Sequence, residues 1–365
     1  MKAKKKICFF SGDITRSGGT ERVSTQIMNV LCDAYDVSVI SLTEGQKRPF
    51  YAIDDSITRT SLFAEAPDGI RQYFAIVRRL RRFLSKNQID LLIDIDTVLD
   101  AYSVPAVRGM GVKLVAWEHF NFYETMGTKI RMPIRRRFTR KADAVVTLTR
   151  EDKKYYTRAF RGKTRIVQIY NPIVIPEKPP EYNIYSKTII SVGRLARQKG
   201  FDFLIETAEL VFAKHPDWEW LILGEGDQRQ HLEAMLTKKR LDNVRLVGKV
   251  GNVEDYLSDA AIFVMTSRYE GFPLALVEAK AIGLPAVSFD CRTGPSELIE
   301  DGVNGFLIDC FDVEQMAERI CELIEDRQKR LAFSKRALDN AEKMNYEMVT
   351  AQWKSLLESL LTQRA

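Results

Sequence analysis

The chain has 365 residues, 45% hydrophobic and 28% charged; this length suits two domains with real cores, and without a run of about 18 apolar residues no transmembrane helix is expected. The net charge of +6 is unevenly spread: residues 1–171 carry 31 Lys/Arg against 18 Asp/Glu, and the remainder carries 24 against 31. The basic half should therefore face something anionic: a phospholipid surface, a diphosphate-linked lipid or nucleic acid. Cys8, Cys32, Cys291, Cys310 and Cys321 are odd in number, scattered and form no C-x-x-C pair, which suggests a reducing, cytosolic protein without disulfides or a structural zinc.

The start, MKAKKKICFFSG, has too short an apolar run for a signal peptide, and Lys6 to Ser11 reads as a buried strand. A glycine turn follows, Gly12 to Thr20, in which Gly18-Gly19-Thr20-Glu21-Arg22 opens a helix to about Ala34. Strand, glycine turn and helix make a phosphate-friendly unit, although neither G-x-G-x-x-G nor a P-loop is present. Val37 to Leu42 is a second strand. Arg71 to Lys86 is expected to be a helix with Phe74, Val77, Leu80 and Leu84 on one face and Arg78, Arg79, Arg81, Arg82 and Lys86 on the other. Such a helix suits an anionic membrane surface or a solvated face packed on a sheet. Strand Ile89 to Ile95 ends in Asp94-Ile95-Asp96, and strand Lys113 to Trp117 is followed by Glu118-His119. Of the three histidines, His215 and His231 invite no role. The densest basic run, Lys129 to Lys141, includes Arg131, Arg135, Arg136, Arg137 and Arg140. Nucleic acid, a membrane surface and an acceptor's pyrophosphate are its possible partners, but single-stranded nucleic acid would want stacking aromatics and only Phe138 is available.

Ala144 to Leu148 and Ile166 to Ile169 are strands, and the proline-rich Pro172 to Pro180 reads as a linker. The second half opens with strand TIISVG, running to Gly193-Arg194, with Lys199-Gly200 next and a helix from Phe201. Two cations at a strand-to-helix turn read as a diphosphate clamp. Trp218 to Leu223 and Val244 to Val247 are further strands, the latter followed by Gly248-Lys249-Val250. Strand Ala261 to Met265 passes through the loop Ser267 to Phe272 into a helix starting at Pro273, where a missing N–H costs nothing. That start is a ready anion site. Glu270 lies in the loop and Glu278 in the helix, among Ala275, Leu276, Val277, Ala279, Ala281 and Ile282. The helix reads as buried, so the Glu278 carboxylate needs a partner: ligand hydroxyls, or a cap or salt bridge within the core. Strand Pro285 to Asp290 and helices Val313 to Glu325, Gln328 to Asn340 and about Tyr346 to Thr362 complete the chain. The alternation gives two doubly wound parallel sheets, which take ligands at the carboxyl ends of their strands.

Glu270-x7-Glu278, with S-G-G-T-E-R at Ser17 to Arg22, Glu118-His119, and V-G-R-L-x-x-x-K-G at Val192 to Gly200, resembles the retaining glycosyltransferases of the GT-B fold, family 4, over nearly the whole chain. The resemblance implies an α/β, GT-B architecture of two Rossmann-like domains facing a cleft: residues 1–171 on the acceptor side, a linker at 172–186, a nucleotide-sugar domain at 187–345, and a terminal helix at 346–365 packing back on the first domain. It implies Glu270 beside the donor sugar, Glu278 on the ribose, and the backbone of Gly271, Phe272, Pro273 and Leu274 near sugar hydroxyls and phosphate. Gly18 and Gly19 would lie under the diphosphate, Arg194 and Lys199 would clamp it, Val250 would meet the base, and His119 would contact the sugar. Arg131, Arg135, Arg136 and Arg137 would hold an acceptor diphosphate, with membrane attraction secondary. Asp94-x-Asp96 is discounted as the metal triplet of the GT-A class; Asp96 is instead expected at an acceptor hydroxyl. The implied activity is metal-independent, cofactor-free transfer of a hexose or N-acetylhexosamine from a UDP-sugar to a saccharide or polyprenyl-diphosphate-linked glycan, at the inner face of the membrane, without nucleic acid. A UDP-N-acetylglucosamine epimerase of the same architecture would be expected to carry more carboxylates and histidines. A nucleic-acid-binding protein would leave Glu270 and Glu278 idle.

Overall fold

A computed structural model describes residues 4–162, 164–173, 180–341 and 344–362. The chain divides into two compact units, Met1–Pro172 with Glu347–Ala365, and Ile173–Tyr346. Much of the expected linker, residues 174–179, lies outside the described residues.

The N-terminal unit is built on seven parallel strands: β1 (Lys6–Ser11), β2 (Asp36–Ser41), β3 (Thr58–Ser61), β4 (Leu91–Ile95), β5 (Lys113–Trp117), β6 (Ala144–Thr147) and β7 (Arg165–Gln168), in the order β3-β2-β1-β4-β5-β6-β7. Ile7, Cys8, Phe9 and Phe10 of β1 are all fully buried, as expected of a central parallel strand covered on both faces. In register, Phe9 lies between Val39 and Ile93. The sequence hides β3, because Thr-Arg-Thr-Ser at an edge offers no apolar run. The last helix, Tyr346–Thr362, places Trp353 against Trp117 of β5, ring centroids 4.7 Å apart.

The helix expected over Arg71 to Lys86 runs Tyr73–Asn87, and its buried residues are Ile76, Leu80 and Leu84. Phe74, expected inward, is 83% exposed. The cause is its neighbour: Tyr73 turns inward, donating its hydroxyl to the carbonyl of Ala101 at 2.9 Å and packing on Tyr102. One residue is about 100° on a helix, so Phe74 is carried off the buried stripe.

The C-terminal unit has six parallel strands: β8 (Thr188–Val192), β9 (Glu219–Leu223), β10 (Val244–Gly248), β11 (Ile262–Met265), β12 (Ala286–Phe289) and β13 (Gly305–Ile308), in the order β10-β9-β8-β11-β12-β13. Its core joins Ile189, Leu204, Trp220, Ile262, Val287 and Ile320. In both units the strand order reverses beside the first strand, between β1 and β4 and between β8 and β11. The crevice at the carboxyl ends of those strands is where doubly wound sheets take ligands. The turn Gly12–Thr20, Asp96, the Arg194–Lys199 loop and the Thr266–Pro273 loop all follow switch-point strands.

Candidate functional site

In the C-terminal unit the two switch-point loops are stitched together. Thr266 Oγ1 donates to the carbonyl of Lys199 at 3.2 Å, the Arg268 N–H to that of Gln198 at 2.8 Å, and Gln198 Nε2 to that of Tyr269 at 3.1 Å. Gly200 permits this approach: its φ is +64°, and a Cβ there would lie 2.0 Å from the Thr266 carbonyl oxygen. Only glycine tolerates both demands. Arg268 fixes the far side, donating to both carboxylate oxygens of Asp202, with its guanidinium 4.4 Å over the Phe203 ring.

This scaffold brings Lys199 to Glu270. Lys199 Nζ donates to Glu270 Oε1 at 2.8 Å, and the Glu270 side chain is only 5% exposed. The Glu270 backbone is held from a third loop: its N–H donates to Arg292 O, and the Thr293 N–H donates to Glu270 O, both at 3.0 Å. Thr293, fully buried, also donates its Oγ1 to the carbonyl of Gly271 at 3.1 Å, a contact for which the sequence gives no signal. Arg194 is exposed, and its side chain forms no ion pair or hydrogen bond among the described residues. Of the two cations expected to clamp a diphosphate, Lys199 is tethered and Arg194 is unengaged among the described residues. Gly271, Phe272 and Pro273 are buried beside them, Leu274 is half-buried, and Val250 follows β10 half-buried.

The helix starts at Leu274, with Pro273 as its N-cap rather than its first residue, and ends at Ala281. Glu278 is half-buried and shares its side with Leu274 and Ala275, four and three residues earlier. The fully buried charge is Lys280, on the side of Leu276 and Val277. Its ammonium has no hydrogen-bond partner among the described residues, and burial pushes its pKa down to about 8. A folded-state value below the unfolded one (~10.4) means that Lys280 opposes folding at neutral pH and that this penalty fades as pH rises past about 8. Lys280→Met is therefore expected to stabilise the C-terminal unit at pH 7 by roughly 2 kcal/mol, read as a rise in its melting temperature. A fall would contradict the assignment.

In the N-terminal unit, Gly18 is the N-cap of helix Gly19–Leu31, and no side chain caps it. Glu21 folds back over the turn: a Cβ on Gly18 would lie 2.3 Å from Glu21 Oε2. Burial raises the pKa of that carboxyl. His119 is 7% exposed, its ring 4.4 Å from Trp117, and its Nε2 has no partner among the described residues. Burial drives its pKa down to about 4, so at neutral pH it is an uncharged imidazole with a ring nitrogen to offer.

Arg135 departs from expectation. It is fully buried and cannot meet an acceptor or a membrane. Its Nε donates to Glu118 Oε2 at 2.8 Å and its Nη1 to the carbonyls of Phe122 (3.0 Å) and Glu124 (2.5 Å). Glu118 also accepts from Thr97, Tyr156 and the Phe120 N–H. Burial would raise the pKa of Glu118, but the Arg135 charge and these hydrogen bonds outweigh it and hold it low. Arg131 and Asp96, both expected to be offered to the acceptor, engage each other: Arg131 Nη1 and Nη2 donate to Asp96 at 2.9 and 2.7 Å. Asp96 has φ 105°, a strained conformation for a residue with a side chain, of the kind found at functional sites. Arg136 and Arg137 are exposed.

Asp94 turns away from Asp96, accepting from Ser103 Oγ at 2.7 Å. Its Oδ2 and Asp100 Oδ1 have no donor among the described residues, and the two fully buried carboxyls meet each other. Burial, more than the neighbouring charge, pushes Asp94 up to about 7 and Asp100 well above its usual range. Raised folded-state values contribute stability that is complete below about pH 4 and lost as pH climbs through about 7. The N-terminal unit should therefore lose on the order of 3 kcal/mol between pH 5 and 8.5 from this pair, and Asp100→Asn should flatten the slope in pH-dependent melting.

The family model described as "Glycosyl transferases group 1" matches residues 175–339, and "Glycosyltransferase Family 4" matches residues 17–175. An uncharacterized glycosyltransferase of Haemophilus influenzae is 32% identical over 97% of this chain and 100% of its own. A Campylobacter jejuni protein, named GalNAc-alpha-(1->4)-GalNAc-alpha-(1->3)-diNAcBac-PP-undecaprenol alpha-1,4-N-acetyl-D-galactosaminyltransferase, is 25% identical over 96% of this chain and 98% of its own. Among solved structures, the pneumococcal O-GlcNAc transferase GtfA in complex with UDP and GlcNAc is similar in fold, with a TM-score of 0.82 at 16% identity over 99% of this chain and 100% of that one. With two parallel-sheet units, switch-point loops that join Lys199 to Glu270, and these relatives, the chain belongs to glycosyltransferase family 4 and has the GT-B fold.

Proposed function

We propose that this glycosyltransferase moves a hexose or N-acetylhexosamine from a UDP-sugar to a polyprenyl-diphosphate-linked glycan, with retention of configuration and without a metal, at the inner face of the membrane, in surface polysaccharide or glycan assembly. The observation that carries the donor assignment is the Lys199–Glu270 contact at the switch point, with Arg194 unengaged beside it. A donor diphosphate supplies the anion that Arg194 lacks and that Lys199 can share. As the glycosidic C–O bond breaks, charge grows on the leaving phosphate, and the tethered Lys199, Arg194 and a helix start stabilise it. Glu270 accepts from a donor-sugar hydroxyl, and Glu278, half-buried rather than in the core, takes the ribose. The acceptor hydroxyl attacks on the leaving-group side, forms the new C–O bond and passes its proton to the departing phosphate. His119 stays neutral and hydrogen-bonds the sugar; no protein base is required. UDP is supported by the solved neighbour named with UDP and GlcNAc, and a lipid-linked acceptor by the relative named for a PP-undecaprenol glycan. Arg136 and Arg137 remain candidates for the acceptor's phosphates.

Thermal melting against UDP-, GDP- and ADP-sugars without metal tests this reading, because a ligand that binds the native state raises the melting temperature. A shift with a UDP-sugar that is lost in Arg194→Ala and Glu278→Ala is expected. Stabilisation by oligonucleotides and by no nucleotide sugar would overturn it.

A further inference from the structure

Ile70 and Phe74 are the two most exposed of the large exposed hydrophobic side chains, at 85% and 83%. They lie four residues apart, at the entry to and in the first turn of helix Tyr73–Asn87. Scattered exposed apolar residues need no explanation, but adjacent ones in a charged setting do. From Gly69 to Ile89 the sequence has six cations, Arg71, Arg78, Arg79, Arg81, Arg82 and Lys86, and no carboxylate.

These cations divide into two sets. Arg79 donates to the carbonyl of Leu62 and lies 4.2 Å over the Phe63 ring, and Arg81 donates to the carbonyls of Ala106 and Arg108. Those two fasten the helix, and Arg71 pairs loosely with Asp68 at 3.6 Å. Arg78, Arg82 and Lys86 are exposed and form no ion pair or hydrogen bond among the described residues. They follow Phe74 at intervals of four, winding along its side of the helix. A second helix extends the field: Arg137 lies within electrostatic reach of Tyr73, and Arg136 is exposed beside it.

We propose that this surface docks on an anionic lipid bilayer, with Ile70 and Phe74 entering the interface and Arg78, Arg82, Lys86, Arg136 and Arg137 against the headgroups. A helix with exposed cations and no carboxylate from Gly69 to Ile89 fits a negatively charged plane, and two projecting apolar side chains fit the headgroup–acyl boundary behind it. A soluble polyanion would use the charge and leave Phe74 in water. The proposal deepens the membrane part of the proposed function but does not depend on which sugar is moved.

The test is co-sedimentation of the full chain with phosphatidylglycerol-containing and with purely phosphatidylcholine vesicles, at low and high salt. Binding to the anionic vesicles is expected. Phe74→Ser should weaken it by roughly tenfold or more, and Ile70→Ser should act in the same direction. Arg78→Gln/Arg82→Gln should remove most of the salt-sensitive part. All variants should keep the wild-type melting shift with a UDP-sugar, so a failure of donor binding would count against the donor assignment and not against this surface. Equal binding of wild type and Phe74→Ser, or a Phe74-dependent dimer that ignores vesicles, would overturn the proposal.

Discussion

Arg135→Ala is expected to cripple the N-terminal unit, whereas Arg136→Ala and Arg137→Ala leave its stability nearly unchanged. Arg135 and Glu118 are a fully buried pair, and removing one member leaves the other charged in a dry interior, at a cost of about 3–5 kcal/mol. For a domain of this size that is a fall in melting temperature of roughly 10 °C. The loss is larger than one ion pair suggests, because Arg135 also satisfies the carbonyls of Phe122 and Glu124, and Glu118 would lose its only cation among the described residues. Glu118→Gln should be milder, since an amide still accepts from Thr97 and Tyr156. A double replacement, Glu118→Leu with Arg135→Met, should be less harmful than the sum of the single changes. If Arg135 were instead part of an acceptor surface, Arg135→Ala would melt like wild type and lose only acceptor affinity. Differential scanning calorimetry of these variants separates the two. Their effect on His119 is indirect: Glu118 is its neighbour in sequence and fixes the following backbone through the Phe120 N–H.

Lys199→Ala is expected to lower turnover by about 10²–10³, the usual loss when one fixed group that stabilises developing charge is removed. The fold should lose less stability than in Arg135→Ala, because Lys199 is partly exposed and the Glu270 backbone remains held by Arg292 and Thr293. Glu270→Gln separates two roles. If Glu270 only holds Lys199, the amide keeps the contact and turnover falls modestly. If it also accepts from the donor sugar as a carboxylate, turnover falls by a factor comparable to that for Lys199→Ala. We expect the second outcome, measured as kcat at saturating donor, with KM for the donor changing less in Glu270→Gln than in Arg194→Ala.

The architecture was legible because most of its parallel strands, buried on both faces, are continuous apolar runs. What escaped were elements with another logic. β3 is polar and short, and helix Asp100–Val107 carries Pro105 inside it. Phe74 went astray because the sequence does not say that the Tyr73 hydroxyl has a buried partner. At the site, motif spacing identified Lys199 and Glu270 but not that they meet, since their contact depends on Gly200 letting two loops touch. Lys129 to Lys141 reads in sequence as one charged surface, and the fold divides it. Arg135 is turned inward by the Glu118 carboxylate, and Arg131 is taken by Asp96, so only the remainder is offered outward. Glu278 and Lys280 were ordered by helix rotation: two residues apart, they lie about 200° apart, and the buried side took the lysine.

The most direct measurement is sugar transfer from labelled UDP-sugars to a membrane glycolipid extract, in the presence of EDTA, by the wild type and by Lys199→Ala. Transfer by the wild type from a UDP-sugar, undiminished by chelation, is expected, with a loss of about a hundredfold or more in Lys199→Ala while that variant is still folded at the assay temperature. Transfer by Lys199→Ala at the wild-type rate would contradict it.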